Sequence, residues 1–418
     1  MAIRQLDTSR VSLKADELAL KFKNRIIGQP KAFEALTRVL EKYQSGIYDR
    51  RRPIASLLFL GPTGVGKTGS VEAFVEGLFG KPTYMLKVDC AEYQHSHEIA
   101  KLVGSPPGYL GHRETHPFFT NKAIREKFCK YDTAGVEVGQ VNPAFTVVLF
   151  DEIEKGNDAL WNLMLGILDK GELTTGTNEV VDFTPTVIIL TSNVGSTELA
   201  AKAGEGGIGF ATPASTINDD EMKEIAMSAA RRKFSPEFLN RLDDVVMFST
   251  LTPANLVDIL RIELDKLRTQ IVLTSREVFD IEVSPAAKSK LLAEGYDKRY
   301  NARELRRVVE RRVAQPLGRL VTTAQIMDND VVIVDYDGEW KYFAKGTIKP
   351  RVSEPSVQSG RVEVPTLRIS PGSTPPSPDI PKSGGWPLLD QLNNPVLEVP
   401  RRNPQPLFER RGYKRHLQ

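Results

Sequence analysis

The chain has 418 residues, 40% of them hydrophobic, a net charge of +3 and two cysteines. That length accommodates two or three separate cores, while the near-neutral charge excludes a dominant electrostatic footprint for nucleic acid, and two cysteines exclude a disulfide framework and fit a reducing compartment. No apolar run approaches the roughly 18 residues that span a bilayer, and Met1–Asp7 lacks the apolar stretch of a signal peptide, so the expectation is a cytoplasmic protein with no membrane association and no nucleic-acid partner.

In chain order, residues 1–16 are polar and expected to be flexible, too short for a domain that recruits substrates. The spacing of Leu18, Leu20, Phe22 and Ile26 predicts a helix, and Ala32, Phe33, Leu36, Val39 and Leu40 predict a second. The apolar run Ser56–Leu60 then enters Gly61-Pro62-Thr63-Gly64-Val65-Gly66-Lys67-Thr68, which satisfies the phosphate-binding pattern G-x-x-x-x-G-K-[ST] in full, with helix-patterned sequence after it. A loop that turns its backbone N–H groups inward around a phosphate has no room for Cβ atoms, which explains Gly61, Gly64 and Gly66. Lys67 is expected to reach the β- and γ-phosphates of ATP, Thr68 to offer its hydroxyl to Mg²⁺, and the helix to point its positive end at the anion.

Strand-like runs at 54–60, 85–91, 146–151, 186–191 and 245–248 alternate with helical patterns, predicting an α/β fold whose parallel five-stranded sheet is covered on both faces. The run Thr146–Phe150 ends in Asp151 and Glu152, at the strand edge where such sheets bind ligands. Asp151 is expected to hold Mg²⁺ through its water shell and Glu152 to polarise the attacking water as general base. The run Thr186–Ser192 ends in Asn193, which either orients water against the γ-phosphate or caps the next turn.

These motifs, with Pro236–Asp243 and Asn301–Leu305 behind them, resemble in order and context the AAA+ ATPases, and most closely the C-terminal ATPase module of the Clp/Hsp100 unfoldases, over roughly residues 16–345. The resemblance implies a large ATPase domain at 17–250, a small α+β lid at 251–346, and a hexameric ring with nucleotide at each subunit interface. It further implies that Arg241 is the arginine finger offered to the neighbouring subunit and Arg303 the sensor arginine of the lid. Ile26, Ile27 and Gly28 match the segment lining the adenine pocket. Relatives carry glycine where this chain has Asn301; asparagine tolerates left-handed backbone, so the match stands.

The segment Gly108-Tyr109-Leu110-Gly111 frames an aromatic ring with glycines, a large amphipathic paddle on a mobile stem. In the resembling unfoldases the matching tyrosine lines the axial pore and drags polypeptide through it. Ile208-Gly209-Phe210, in a glycine-rich run, matches the tripeptide that docks ClpC-type rings onto the ClpP peptidase; the alternative is a loop folded back on its own domain. Residues 113–145 exceed the family's usual length, and Lys130–Gln140 reads as an inserted loop or hairpin with no assigned role. His95, His97, His112 and His116 lie near Cys90, but without paired ligand spacing they read as loop histidines rather than a zinc site.

A helix at 254–271, a strand near 279–283, helices at 285–295 and 302–322 and a strand pair near 330–343 are predicted for the lid. From Lys349 onward the tail holds 13 of the 27 prolines, a density that prevents a packed core, so 347–418 is expected to be disordered. Within it Trp386–Leu392 and the basic end from Arg401 either bind an adaptor or substrate or are unconstrained. The expected activity is ATP-dependent protein unfolding in a hexamer, with substrates reaching the ring through an adaptor, the insertion or the tail, and with or without a peptidase. The other classes are a stand-alone remodelling or assembly switch and a nucleic-acid-loading ATPase. The first is indicated if Phe210→Ala leaves function intact, the second by strongly salt-dependent DNA binding.

Overall fold

The computed structural model describes residues 12–105, 116–131, 137–196, 198, 219–296 and 301–346. Two helices come first, α1 (Leu13–Lys23) and α2 (Pro30–Ser45), the second opened by a proline at its first position and closed by Gly46 in left-handed geometry. They are followed by β1 (Ala55–Leu60), α3 (Lys67–Phe79) and β2 (Met85–Asp89). Two short helices, α4 (Ala100–Val103) and α5 (Asn121–Arg125), lead to an antiparallel pair, β3 (Cys129–Tyr131) and β4 (Glu137–Gln140). The expected hairpin in the insertion therefore forms, and 132–136 lie outside the described residues.

Next come β5 (Thr146–Asp151), α6 (Asp158–Lys170), a second hairpin of β6 (Glu172–Thr174) and β7 (Val180–Asp182), and β8 (Thr186–Ser192). Sequence periodicity does not pick up the β6–β7 hairpin, because three-residue strands are too short to establish alternation. Its turn signal is nonetheless present at Thr175–Asn178, with Asn178 at φ 60°. The large domain closes with α7 (Asp219–Lys233), α8 (Pro236–Asn240) and β9 (Asp244–Met247).

The central sheet runs β2-β5-β8-β1-β9 with every pairing parallel, as expected from the sequence. Alternation along its strands supplies both faces with apolar side chains. Leu57 and Phe59 of β1 with Val147 and Leu149 of β5 pack against Leu36, Leu40 and Phe74 of α2 and α3. Their neighbours Leu58, Leu60, Val148 and Phe150 pack against Met164 and Ile167 of α6 and Ala226 and Ala230 of α7. Because β1, β5 and β8 are buried on both sides, all their polar functions are carried at their ends.

A second core is built from α9 (Pro253–Thr274), β10 (Asp280–Val283), α10 (Pro285–Gly295), α11 (Ala302–Val309), α12 (Gln315–Thr322), β11 (Val331–Asp337) and β12 (Glu339–Lys345). β10 pairs parallel with β11, and β11 antiparallel with β12. The single helix expected over 302–322 contains one wide turn at Glu310–Ala314. Pro316 explains it: proline has no N–H for the carbonyl four residues earlier. That carbonyl, Arg312 O, instead accepts a 2.7 Å hydrogen bond from the Tyr342 hydroxyl. Among the described residues no helix is long and apolar enough to cross a membrane.

Candidate nucleotide site

The phosphate-binding loop joins the carboxyl end of β1 to α3. Its glycines occupy backbone conformations that other residues rarely adopt, φ 149° at Gly61, 81° at Gly64 and 103° at Gly66. At Gly61 space is also limiting, since a Cβ there would sit 2.7 Å from the Phe248 carbonyl oxygen. Val65 is buried, and its carbonyl accepts a 3.2 Å hydrogen bond from the buried Gln29 amide, whose oxygen and nitrogen also bind the Ser249 N–H and carbonyl. Ile26 packs at the edge of the same core beside Gly69 of α3, and Ile27 is half-buried after it.

Lys67 folds over the loop, its ammonium donating to Gly61 O at 2.7 Å and Pro62 O at 2.8 Å. Burial pushes its pKa from 10.5 down to about 8, opposed by the carboxylates of Glu154, Asp151 and Glu152; the Arg303 charge adds to the depression. Next to it, Thr68 Oγ1 donates to Asp151 Oδ1 at 2.9 Å, so the start of α3 and the end of β5 meet. Thr191 of β8 donates to the same oxygen at 2.5 Å, and Lys87 of β2 sits 3.3 Å from Asp151 Oδ2. Three neighbouring strands thereby converge on one carboxylate.

Glu152 has left-handed backbone, φ 57° and ψ 50°, a conformation costing a non-glycine residue about 1–3 kcal/mol and common where a side chain must be aimed. Its N–H donates to Thr191 Oγ1 at 3.0 Å, and its carboxylate is ion-paired with Lys155. That pairing raises the Lys155 pKa. Just past β8, the Asn193 N–H donates to Glu154 Oε1 at 3.3 Å, whereas Glu154 Oε2 is buried without a hydrogen-bond partner among the described residues. Asn193 and Thr63 line a cavity of about 530 Å³ together with Val194, Ser196 and Arg232.

The small domain reaches this edge through Asn301, whose Nδ2 donates to the Thr63 carbonyl at 3.1 Å, and through Arg303 in the first turn of α11. Asn301 has φ 48° and ψ −131°, so its φ is positive but its ψ lies far from the left-handed helical values near +45° at which asparagine is tolerated. The expectation of a routine asparagine substitution is corrected on this point.

Arg241 stands elsewhere. It ends α8 at the amino end of β1, where its carbonyl accepts from Ser56 Oγ at 3.2 Å and its guanidinium lies 2.5 Å from Asp169. Gly108–Gly111 with Tyr109, expected to line a pore, Ile208-Gly209-Phe210, expected to dock a peptidase, and the tail lie outside the described residues. Among the described residues no three histidine, cysteine, aspartate or glutamate side chains are placed to hold a metal ion. His95 and His97 stack on each other at 5.6 Å, and burial pushes the Cys90 thiol up.

Sequence reasoning did not single out Thr191, Glu154, Lys87, Lys155 or Gln29. Lys155 and Glu154 follow directly on the acidic strand end, and their charge was the available signal. Thr191 and Lys87 acquire significance only through strand order, which sets them beside Asp151, and Gln29 only through chain closure onto Ser249, 220 residues away.

Comparison with known proteins agrees with this arrangement. A family model described as an AAA domain of the Cdc48 subfamily matches residues 52–245, and one for the C-terminal, D2-small domain of ClpB protein matches 251–334. The chain is 37% identical to the ATP-dependent Clp protease ATP-binding subunit ClpC of Staphylococcus epidermidis over 76% of its own length and 36% of that protein's. It is 33% identical to the chaperone protein ClpB of Rhodopirellula baltica over 82% of this chain and 35% of that one. It thus spans about a third of these relatives. Among solved structures, a closed-state reconstruction of Hsp104 with ATPγS and FITC casein superposes with a TM-score of 0.63 at 27% identity, covering 79% of this chain and 52% of the other. With a phosphate-binding loop facing an acidic strand end, and a lid of the ClpB small-domain kind behind it, the chain belongs to the nucleotide-binding AAA+ ATPases of the Clp/Hsp100 type.

Proposed function

We propose that the chain hydrolyses ATP and uses the energy to unfold polypeptide, as one subunit of a homo-oligomeric ring, a hexamer by analogy with its relatives. The observation that carries the reading is the meeting of Thr68 and Asp151 at 2.9 Å, beside Lys67 and Glu152, at adjoining strand ends. In this reading Gly61–Thr68 cradle the phosphates, Lys67 leaves the two loop carbonyls to pair with the β- and γ-phosphates, and Ile26 and Ile27 border the base. Two hard oxygen donors, Thr68 Oγ1 and Asp151, fit Mg²⁺, which would neutralise phosphate charge there.

Glu152 is the general base. Its left-handed backbone aims the carboxylate, and Lys155 must release it before it can accept a proton from water. Asn193 then orients that water. Arg241 is the finger for a neighbouring subunit. The path along β1 from Ser56 to Gly61 is roughly 16 Å, farther than an arginine side chain extends, so Arg241 does not serve its own loop. Arg303 acts from the lid of the same subunit. Tyr109 grips polypeptide, and Ile208-Gly209-Phe210 docks a ClpP-type peptidase. Adaptor binding by the tail and a cytoplasmic location complete the proposal.

The test is ATP-driven loss of fluorescence from a tagged fluorescent protein, with and without ClpP, comparing wild type with Tyr109→Ala. Loss in the wild type alone supports threading, and degradation with ClpP supports docking. Unfolding retained by Tyr109→Ala would overturn the threading reading, whereas ATP turnover without unfolding would mean either a missing adaptor or an assembly switch.

A further inference from the structure

We propose that Asn301 is a latch that fastens the small domain to the crown of the phosphate-binding loop and so sets how fast nucleotide leaves. The inference rests on the nucleotide reading above and adds to it a residue that touches no phosphate.

Among the described residues, two contacts of different kind join the small domain to the large one. One is the covalent hinge after β9. There the buried Gln29 side chain clasps Ser249 on both its N–H, at 3.0 Å, and its carbonyl, at 2.9 Å. Gly28, at φ 74°, lies so close to the start of α9 that a Cβ would stand 2.9 Å from Asn255 Oδ1. This end is fixed by chain connectivity and close packing. The other is the start of α11, where the Asn301 amide donates to Thr63 O at 3.1 Å.

Three features mark that second contact as more than incidental. Asn301 is only 7% exposed. Its φ of 48° with ψ of −131° is a conformation that favours glycine, so a glycine would fold there with less strain; what asparagine adds is the side-chain donor. The acceptor belongs to the loop itself. The Asn301 amide satisfies the Thr63 carbonyl there. Two residues further on, Arg303 stands near enough to Lys67 for its charge to act on that ammonium.

A nucleotide held between the Ile26–Ile27 segment and the small domain leaves when the latch end opens about the Gln29–Ser249 hinge. Breaking one partly buried neutral hydrogen bond should accelerate that opening by about three- to tenfold.

The experiment is stopped-flow release of fluorescently labelled ADP from the full chain, wild type against Asn301→Gly and Asn301→Asp. Glycine relaxes the backbone and removes the donor. Aspartate keeps the side-chain size but presents a carboxylate to the Thr63 carbonyl. Release about three- to tenfold faster in both, with full uptake, is the expected result. Wild-type release in Asn301→Gly overturns the latch. Acceleration confined to Asn301→Asp overturns it too, because it reports only the added negative charge. If the wild type itself takes up no labelled nucleotide, the nucleotide reading fails and the latch with it, which separates the two failures.

Discussion

The two ends of β1 handle polar groups in opposite ways. At the amino end the interactions are closed. The Asp243 carboxylate accepts from both the Ser56 N–H, at 2.8 Å, and its hydroxyl, at 3.2 Å. The Asp243 N–H returns a bond to Ser56 O, the Arg241 carbonyl takes Arg52 and Ser56, and the Arg241 guanidinium meets Asp169. At the carboxyl end the matching is poor. The half-buried ammonium of Lys67 rests on two neutral carbonyls, and Glu154 Oε2 has no partner among the described residues. Buried polar groups left in this condition are costly unless something completes them, so the open end is built for a ligand and the closed end for rigidity.

Arg241 is the one group at the closed end to which a catalytic role is given, and it provides the strongest way to break the contrast. If it reaches a neighbour's phosphate, Arg241→Ala should lower ATP turnover by about 10³- to 10⁵-fold in the assembled protein while leaving labelled-ADP affinity unchanged. Turnover within a few-fold of wild type would make its Asp169 pair purely structural. Glu152→Gln sharpens the open end: turnover should drop by about 10²- to 10⁴-fold with ATP still bound. Normal hydrolysis by this variant would move the base elsewhere.

The Lys67 ammonium gives a graded test. Its pKa is about 8 rather than 10.5, because burial penalises the charged form. An anionic phosphate favours that form, so above pH 8 binding takes up a proton. Nucleotide affinity should therefore be level below about pH 8 and weaken by up to about tenfold per pH unit above it, measured with labelled ADP in EDTA. The ligand-free protein shifts oppositely. The unfolded chain holds this proton longer, so the group's contribution to stability rises as pH climbs from about 8 to 10.5.

The open end was the more legible one. Its chemistry is written in consecutive residues, Gly61–Thr68 and Asp151–Glu152, whose types are dictated by phosphate and water, and the strands that carry them are long enough to show their pattern. Pairing between distant segments was not legible. Thr191 could be read as the polar end of an apolar strand, but its place between Asp151 and the Glu152 N–H follows from β8 lying beside β5. The β6–β7 hairpin was too short for periodicity, and although Pro316 signals the wide turn, the partner of the carbonyl it frees is a tyrosine 30 residues beyond Arg312. At Asn301 neither the ψ nor the Thr63 partner has any sequence signal, because both are set by how the small domain packs on the loop.

The smallest effect belongs to Asp243, and it decides whether the closed end is scaffold alone. Asp243→Asn keeps one acceptor oxygen for the Ser56 N–H but loses the charge that strengthens the bond, and Lys42, 3.9 Å away, loses its counter-ion. The half-exposed surroundings screen the second loss, so stability should fall by about 1 kcal/mol, read as a shift of a few degrees in thermal melting. Turnover should stay within about twofold, because that cost falls on folding rather than on the barrier. The Arg241 carbonyl also keeps its own hydrogen bonds to Ser56 and Arg52, which hold the turn in place without the charge. If Asp243→Asn instead lost turnover as deeply as Arg241→Ala, the carboxylate would be positioning the arginine for its neighbour. The tight closure of this end would then serve catalysis across the subunit boundary as well as rigidity.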